Sequence, residues 1–308
     1  MPDGIQKGKY IMKKNKAIIY TAALAAVIII SAAAVTVIRS YHPFIADVKQ
    51  NSVSNTLKTV FLNVGEADAI ILTTKSSTIV IDTGLKETYG TVADYLLDNK
   101  IKNIDYLIIT HFDKDHIGGA GKLINDFNVA NVLEPGYIKP DAKIDDYITA
   151  LSLNKIRPQI IDHTFTVTLD QVEYTVFPPR LAYYESGASN NSSLIVRAVH
   201  GKESFLFTGD AEEPRLSEYM GSDTFSISCS VLKMPYHGRY LANIKAFLAA
   251  VKPEFAIITS KDPASIDRRT LDALAACSVT AYMTYNGNIE AISDGNSIKI
   301  TQLLPGQT

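Results

Sequence analysis

Four side chains able to bind a metal ion fall within six residues: His111, Asp113, Asp115 and His116, in the string His111-Phe112-Asp113-Lys114-Asp115-His116. Imidazole and carboxylate together are ligands for divalent cations. In an extended segment the spacing i, i+2, i+4 turns His111, Asp113 and Asp115 to one side, with His116 following as the chain turns. Gly118 and Gly119 would let the backbone bend tightly beside them. A polar surface loop with helix-capping Asp residues is the plainer alternative, but it gives no reason for two histidines after the apolar run Tyr106–Thr110. Two further apolar runs end in ligand-grade residues: Leu206-Phe207-Thr208-Gly209-Asp210, and Val231 to Met234 followed by Pro235-Tyr236-His237-Gly238. Strand ends on one rim converge, so Asp210, bridging two metals, and His237 would complete the cluster. Taken alone, Asp210 could cap a helix beginning near Glu212, and His237 could be structural. The chemistry such a cluster supports is hydrolysis by an activated water, with Asp115 placed to take a proton. Tyr236, Lys233 and Arg239 flank His237 and would contact an anionic substrate, or else pack and face solvent.

The elements that must position these residues follow from hydropathy. Strand-like runs occur at Leu57–Val64, Ala69–Thr74, Thr78–Asp82, Tyr106–Thr110, Gln159–Ile161, Glu173–Phe177, Leu194–Val199, Phe205–Thr208, Val231–Met234, Phe255–Thr259 and Ala281–Thr284. Helical periodicity covers Tyr89–Asn99, Gly121–Phe127, Ile144–Leu153, Arg215–Met220, Leu241–Val251 and Arg268–Cys277. Strand clusters interrupted by amphipathic helices predict an α/β fold of two sheets with helices outside, a four-layer αββα sandwich. No repeat at a solenoid period is present.

In this order the strings Phe61 to Ala69, Ile81-Asp82-Thr83-Gly84, Thr110 to Gly119, Asn190 to Leu194, Thr208-Gly209-Asp210 and Leu232 to Gly238 resemble the metallo-β-lactamase-fold superfamily. Within it they are most similar to the soluble domain of ComEC-type DNA-uptake proteins and their stand-alone relatives. The resemblance covers about residues 56–303. It implies an αββα fold and a hydrolase site for one or two divalent metals, with Mn²⁺ or Zn²⁺ expected and Mg²⁺ as the alternative. It further implies that His111 and Asp113 serve one metal, that Asp115, His116 and His237 serve the other, and that Asp210 bridges them. Asp68 and Asp82 lie in family strings and read as residues that orient the ligands. The superfamily's common motif has His where this chain has Asp113, which hardens that position toward Mn²⁺ or Mg²⁺. A third His ligand is missing, and Asn191 is the candidate for that ligand or for holding a water. Tyr236 replaces a His found in many ComEC-type domains, and Lys261-Asp262-Pro263 replaces a His-Pro pair. His42, His163 and His200 read as structural or solvated.

Composition bounds the rest. The chain has 308 residues, 46% hydrophobic and 20% charged, which excludes a disordered or low-complexity protein. Residues 1–16 hold five lysines against Asp3, and 17–38 form an uncharged apolar run about 33 Å long as a helix, enough to span a bilayer. The sequence thus predicts a cytoplasmic basic tail (1–16), a transmembrane signal-anchor (17–38), a stalk (39–55), a hydrolase domain (56–303) and a short tail (304–308). A cleaved signal is the alternative to the anchor. The lysine asymmetry puts everything after Ile38 outside the cytoplasm. Met12 opens a more usual start for such an anchor. Residues 40–308 carry 24 basic and 31 acidic side chains, a net of −7, unlike a surface built to hold a polyanion. Any nucleic acid must therefore be gripped at a local site. Cys229 and Cys277 would either pair in an oxidising compartment or remain buried thiols.

These features predict a membrane-anchored extracytoplasmic phosphodiesterase with nuclease-like action, its partners being a phosphodiester substrate such as DNA and the membrane. The alternatives are a cell-envelope phosphoesterase of the choline-phosphate type, and a tethered binding module whose metal site has decayed.

Overall fold

Six successive residues, Thr78–Thr83, are all buried, so alternation fails there and the segment is an interior strand covered on both faces. It is β3 in a computed structural model that describes residues 56–222 and 226–304. The tail, anchor and stalk expected over 1–55 lie outside the described residues, as does 305–308. Among the described residues no helix is long and apolar enough to cross a membrane.

Two sheets form the interior. The first joins β1 (Leu57–Phe61), β2 (Ala69–Thr73), β3, β4 (Asn103–Ile108), β5 (Asn128–Glu134), β6 (Gln159–Ile160), β14 (Ile289–Ser293) and β15 (Ile298–Gln302), in the order β15-β14-β1-β2-β3-β4-β5-β6. The second joins β7 (Phe165–Leu169), β8 (Val172–Phe177), β9 (Ile195–His200), β10 (Glu203–Phe207), β11 (Val231–Lys233), β12 (Phe255–Ile258) and β13 (Thr280–Met283), in the order β13-β12-β11-β10-β9-β8-β7. Each sheet is antiparallel in one half and parallel in the other: β3 to β6 run parallel in the first, β10 to β13 in the second.

The helices are α1 (Tyr89–Asp98), α2 (Lys114–Ile117), α3 (Ala120–Asp126), α4 (Asp145–Leu153), α5 (Ala188–Asn191), α6 (Glu213–Met220), α7 (Ile244–Val251) and α8 (Arg268–Ala276). Side chains of α1, α3 and α4 pack on the first sheet with Val80, Leu107 and Val132. Those of α6, α7 and α8 pack on the second with Leu206, Leu232 and Ile258. Between the sheets lies a third apolar layer, including Phe61, Ile81 and Ile108 from one and Phe205, Phe207 and Ile257 from the other. These layers make a four-layer αββα sandwich. Each fully buried Leu, Ile or Phe contributes about 1.5–3 kcal/mol, so the middle layer alone locks the two sheets face to face.

Several boundaries differ from expectation. β4 stops at Ile108, because Ile109 already donates its N–H to Leu133 beyond the ladder and Thr110 turns to Asp82. The segment after it is not extended throughout: Lys114–Ile117 is a helical turn with Asp113 at its N-cap, so Asp115 and His116 swing round by helix geometry. Strands β5, β7, β14 and β15 were not anticipated. Among them, β5 has two asparagines and a glutamate, and β15 sits at a sheet edge with no fully buried residue. Cys229 and Cys277 are separate thiols, the first buried and the second half-buried, within the layer under α6 to α8. Burial pushes the Cys229 thiol up to about 12.

Candidate metal centre

The parallel halves of both sheets point their C-terminal ends to one rim, the position where ligands bind in open α/β sheets. β3 delivers Asp82, β4 leads to His111, β10 leads to Asp210, β11 leads to His237, and β12 leads to Thr259. One donor atom from each of Asp115, His116, Asp210 and His237 lies within 4.8 Å of the others. Asp210 sits between two rings, with Oδ1 3.3 Å from His116 Nε2 and Oδ2 3.3 Å from His237 Nε2. Asp115 Oδ2 is 3.4 Å from His237 Nε2 and 3.8 Å from His116 Nε2. Asp210 caps no helix, since the N-cap of α6 is Glu212.

A second layer of side chains fixes the rings. His116 Nδ1 lies 2.8 Å from Asp82 Oδ2, and His237 Nδ1 lies 3.1 Å from the Thr259 carbonyl and 2.9 Å from its hydroxyl. Carbonyls and carboxylates only accept, so both Nδ1 atoms carry hydrogen, and each ring, once it gives up the proton on Nε2, turns that lone pair inward. Asp82 also accepts from Thr110 N and Oγ1, at 2.8 and 2.6 Å. That leaves Thr110 Oγ1 to accept from His111 Nδ1, 3.1 Å away. One carboxylate thus orients two imidazoles. Thr259 in turn donates to Asp68 Oδ1 at 2.6 Å.

The donor set fits a cation. The Nε2 atoms of His111, His116 and His237 and Oδ1 of Asp210 are buried without a hydrogen-bond partner. A buried polar atom left unpaired costs about 1–3 kcal/mol, and three of the four residues, His116, His237 and Asp210, belong to the cluster within 4.8 Å. A divalent metal ion would satisfy those three together, with the His, Asp set of a hydrolytic centre, while His111 Nε2 faces Asp113.

His111 and Asp113 form the outer side. Asp113 Oδ2 is 3.9 Å from His111 Nε2, while its Oδ1 takes Lys139 Nζ at 2.7 Å and Ser189 Oγ at 2.6 Å. The His111 and His116 rings lie with centroids 4.1 Å apart, tilted by 49°.

Charges in the cluster shift each other. Burial lowers the His116 and His237 pKa values, but Asp210 and neighbouring carboxylates reverse this, holding His116 well above its ordinary value and His237 at about 9. For His111, burial and the adjacent His116 combine to lower it to about 4. Asp210 is buried, which would raise it, yet the two histidines hold it well below the usual carboxylate range. Burial likewise opposes ionisation of Asp115, and His237 and His116 overcome that and lower it.

Backbone geometry at the rim is unusual. Asp82, Tyr236 and His237 are non-glycine residues at φ of 56°, 49° and 53°. Such conformations cost about 1–3 kcal/mol each and persist where surrounding contacts over-determine them. Gly209 has φ of 51°, and a Cβ there would lie 2.9 Å from Ser193 Oγ and 3.0 Å from Thr110 Cβ, so the turn that presents Asp210 requires glycine.

Three expectations change here. Lys233 is not available to a substrate: it is fully buried, paired to Asp68, donating to Gly209 O at 3.0 Å and lying 3.7 Å from Asp210 Oδ1. It is an internal counter-charge. Asn191 is not free to serve as a ligand, because its carbonyl accepts from Glu212 N and Arg215 N at the start of α6 and its amide donates to Ser186 O. Tyr236 is half-buried beneath Arg239, whose guanidinium stands 4.9 Å above the ring and pairs with Glu66 at 2.8 Å. His163 is exposed against Asp162, and His200 is buried beside Ser293. Thr259, Thr110, Lys139 and Ser189 went unread in the sequence. The only hint was a hydroxyl at a strand's C-terminal end for Thr110 and Thr259.

The sequence model described as the metallo-beta-lactamase superfamily matches residues 62–259. The chain belongs to that superfamily. Among curated relatives of this metallo-beta-lactamase-fold chain are "ComE operon protein 3" of Bacillus subtilis, 27% identical over 54% of this chain and 21% of the relative. "Recombination protein 2" of Haemophilus influenzae is 26% identical over 65% of this chain and 24% of the relative. "Competence protein ComA" of Neisseria gonorrhoeae is 24% identical over 64% and 26%. The chain spans about a quarter of the length of these relatives. Among solved structures, the metallo-beta-lactamase fold protein YhfI of Bacillus subtilis superposes with a TM-score of 0.53 at 13% identity, covering 77% of this chain and 99% of that one. The diiron beta-hydroxylase CmlA of Streptomyces venezuelae gives 0.51 at 15% identity, over 81% and 54%. These two likenesses show the fold alone.

Proposed function

We propose that this chain is a metal-dependent phosphodiesterase with nuclease-like action, tethered by residues 17–38 with its catalytic domain outside the cytoplasm. The observation that carries the hydrolytic reading is the convergence of buried, unpartnered Nε2 atoms whose Nδ1 sides are already committed. Asp115, His116, Asp210 and His237 would hold a divalent cation, and His111 and Asp113 a second; bound there, the metal would supply the Lewis acidity that lowers the pKa of water and polarises a phosphoryl oxygen.

The protein groups do the rest. Asp82 and Thr259 hold the His116 and His237 rings in one tautomer and orientation. Lys233 keeps Asp68 and Asp210 charged in a buried setting. The Asp115 side chain, 25% exposed, opens toward solvent and is placed to accept a proton from the attacking water. The carboxylate at position 113 favours hard cations and phosphoryl oxygens over the softer three-histidine arrangement. The relatives named for competence and recombination support a nucleic-acid phosphodiester over an envelope one. The lysine-rich start and uncharged run support the anchor.

The test uses the full chain, purified in mild detergent without chelator. Metal content is measured by mass spectrometry, and bis-p-nitrophenyl phosphate hydrolysis is followed under Mn²⁺, Mg²⁺ and Zn²⁺. We expect stoichiometric metal and cation-dependent turnover that disappears on His116→Ala. No bound metal and no turnover with any cation would sink the reading in favour of a binding module.

A further inference from the structure

A groove of about 590 Å³ runs away from Asp115, within the roughly 300–1,000 Å³ usual for ligand clefts. Its lining includes Lys114, Arg239 and Lys261, with Glu66 and the apolar Val64 and Leu85. Each cation is one or two residues from a group of the centre: Lys114 precedes Asp115, Arg239 follows His237, and Lys261 follows Thr259. Glu66 splays two of them, Oε1 taking Arg239 at 2.8 Å and Oε2 taking Lys261 at 3.4 Å. Arg239 and Lys261 remain 51% and 59% exposed. Lys114 is exposed and makes no ion pair among the described residues.

Exposed pairs of this kind contribute about 0–1 kcal/mol, so folding gives little reason for Arg239 and Lys261 to share Glu66 with an unpaired Lys114 beside them. The arrangement stands out because residues 40–308 carry a net of −7. An acidic domain that hydrolyses a polyanion must concentrate its attraction where the substrate lies.

We propose that this groove is a subsite for the phosphate next to the one being hydrolysed, so that the enzyme selects an oligomeric phosphodiester, a single polynucleotide strand, over an isolated diester. Leu85, only partly buried, offers apolar contact to a sugar or base, which a polyol phosphate would leave unused. The inference rests on the phosphodiesterase reading for its chemistry, but the subsite can be tested by binding alone.

The probe is a fluorescein-labelled, phosphorothioate-linked hexathymidylate, titrated by anisotropy against Mn²⁺-loaded full chain over a range of NaCl concentrations. Relative to wild type, the Lys114→Ala, Lys261→Ala double variant should bind at least tenfold more weakly. Its log Kd against log salt slope should flatten by about 0.7 for each cation removed. In parallel, the ratio of kcat/KM for a dithymidylate carrying a terminal phosphate to that for bis-p-nitrophenyl phosphate should fall about tenfold in the variant. Unchanged affinity and salt slope would overturn the subsite, as would a glycerol-phosphate oligomer competing better than the thymidylate. Loss of binding in the variant, in a protein that hydrolyses nothing, would leave the subsite standing and overturn the phosphodiesterase reading instead.

Discussion

His116 and His237 sit among carboxylates, whereas His111, tilted against His116, has its Nδ1 held by the hydroxyls of Thr110 and Ser193, and the three rings titrate accordingly. The first two hold protons in the metal-free protein at neutral pH; His111 stays neutral down to about pH 4. On the inner side a cation must displace protons from rings already aimed by Asp82 and Thr259. On the outer side it meets a neutral ring but must share Asp113 with Lys139 and Ser189. The two sides therefore differ in kind: a cation on the inner side would be held in a pH-dependent way, and one on the outer side would compete with an ammonium group for Asp113.

The comparison breaks most visibly at His116. Replacing it with Ala should remove stoichiometric metal and lower kcat/KM about a thousandfold, the scale on which single electrostatic contacts to a transition state act. Metal retained with full turnover would move the centre elsewhere. Asp82→Asn is the subtler cut: Asn tolerates the left-handed backbone there, yet cannot accept from Thr110 and His116 alike with full charge. Affinity for the first cation equivalent should fall 10–100-fold, read by chelator-dye competition. Lys139→Ala should act only on the outer side, tightening the second equivalent about fivefold by removing a competing ion pair worth about 1 kcal/mol net, with the first equivalent unmoved in the same titration. A weaker second site in this variant would mean that Lys139 orients Asp113 more than it competes for it.

The smallest effect is a pH signature. His237 has a folded pKa of about 9 against an ordinary 6.5, so its protonated form stabilises the metal-free fold below about pH 6.5 and loses that contribution as pH rises through 9. The melting temperature of chelated protein should drop by several degrees between pH 6.5 and 9, and metal-loaded protein should not show this drop. His111, already neutral in that range, contributes nothing, so His111→Gln should leave the chelated profile's shape intact.

Much of this centre was readable from the chain because its ligands follow apolar strands directly. An apolar run ending in His or Asp marks both a strand and what its end presents, and β3, β4, β10 and β11 all show it. What escaped was whatever depends on partners distant in sequence. Lys233 looked like a surface charge beside His237, and only the meeting of β11 with the loop carrying Asp68 shows it to be buried. Asn191 looked like a spare ligand because the N-terminus of α6, which uses its carbonyl, lies more than 20 residues on. Lys139 sits in a loop and Ser189 in the single-turn helix α5, too short to show periodicity, so nothing local tied them to Asp113.

The pairing of β1 with β14 joins residues 57–61 to 289–293. Until that pairing has been made, the first sheet ends at β1 with an unpaired edge, and Ile289 and Ala291 are missing from the layer between the sheets. Contacts of such long range make folding slow and late. A sandwich whose closing contacts join β1 to β14 is most exposed to proteolysis just before that pairing forms.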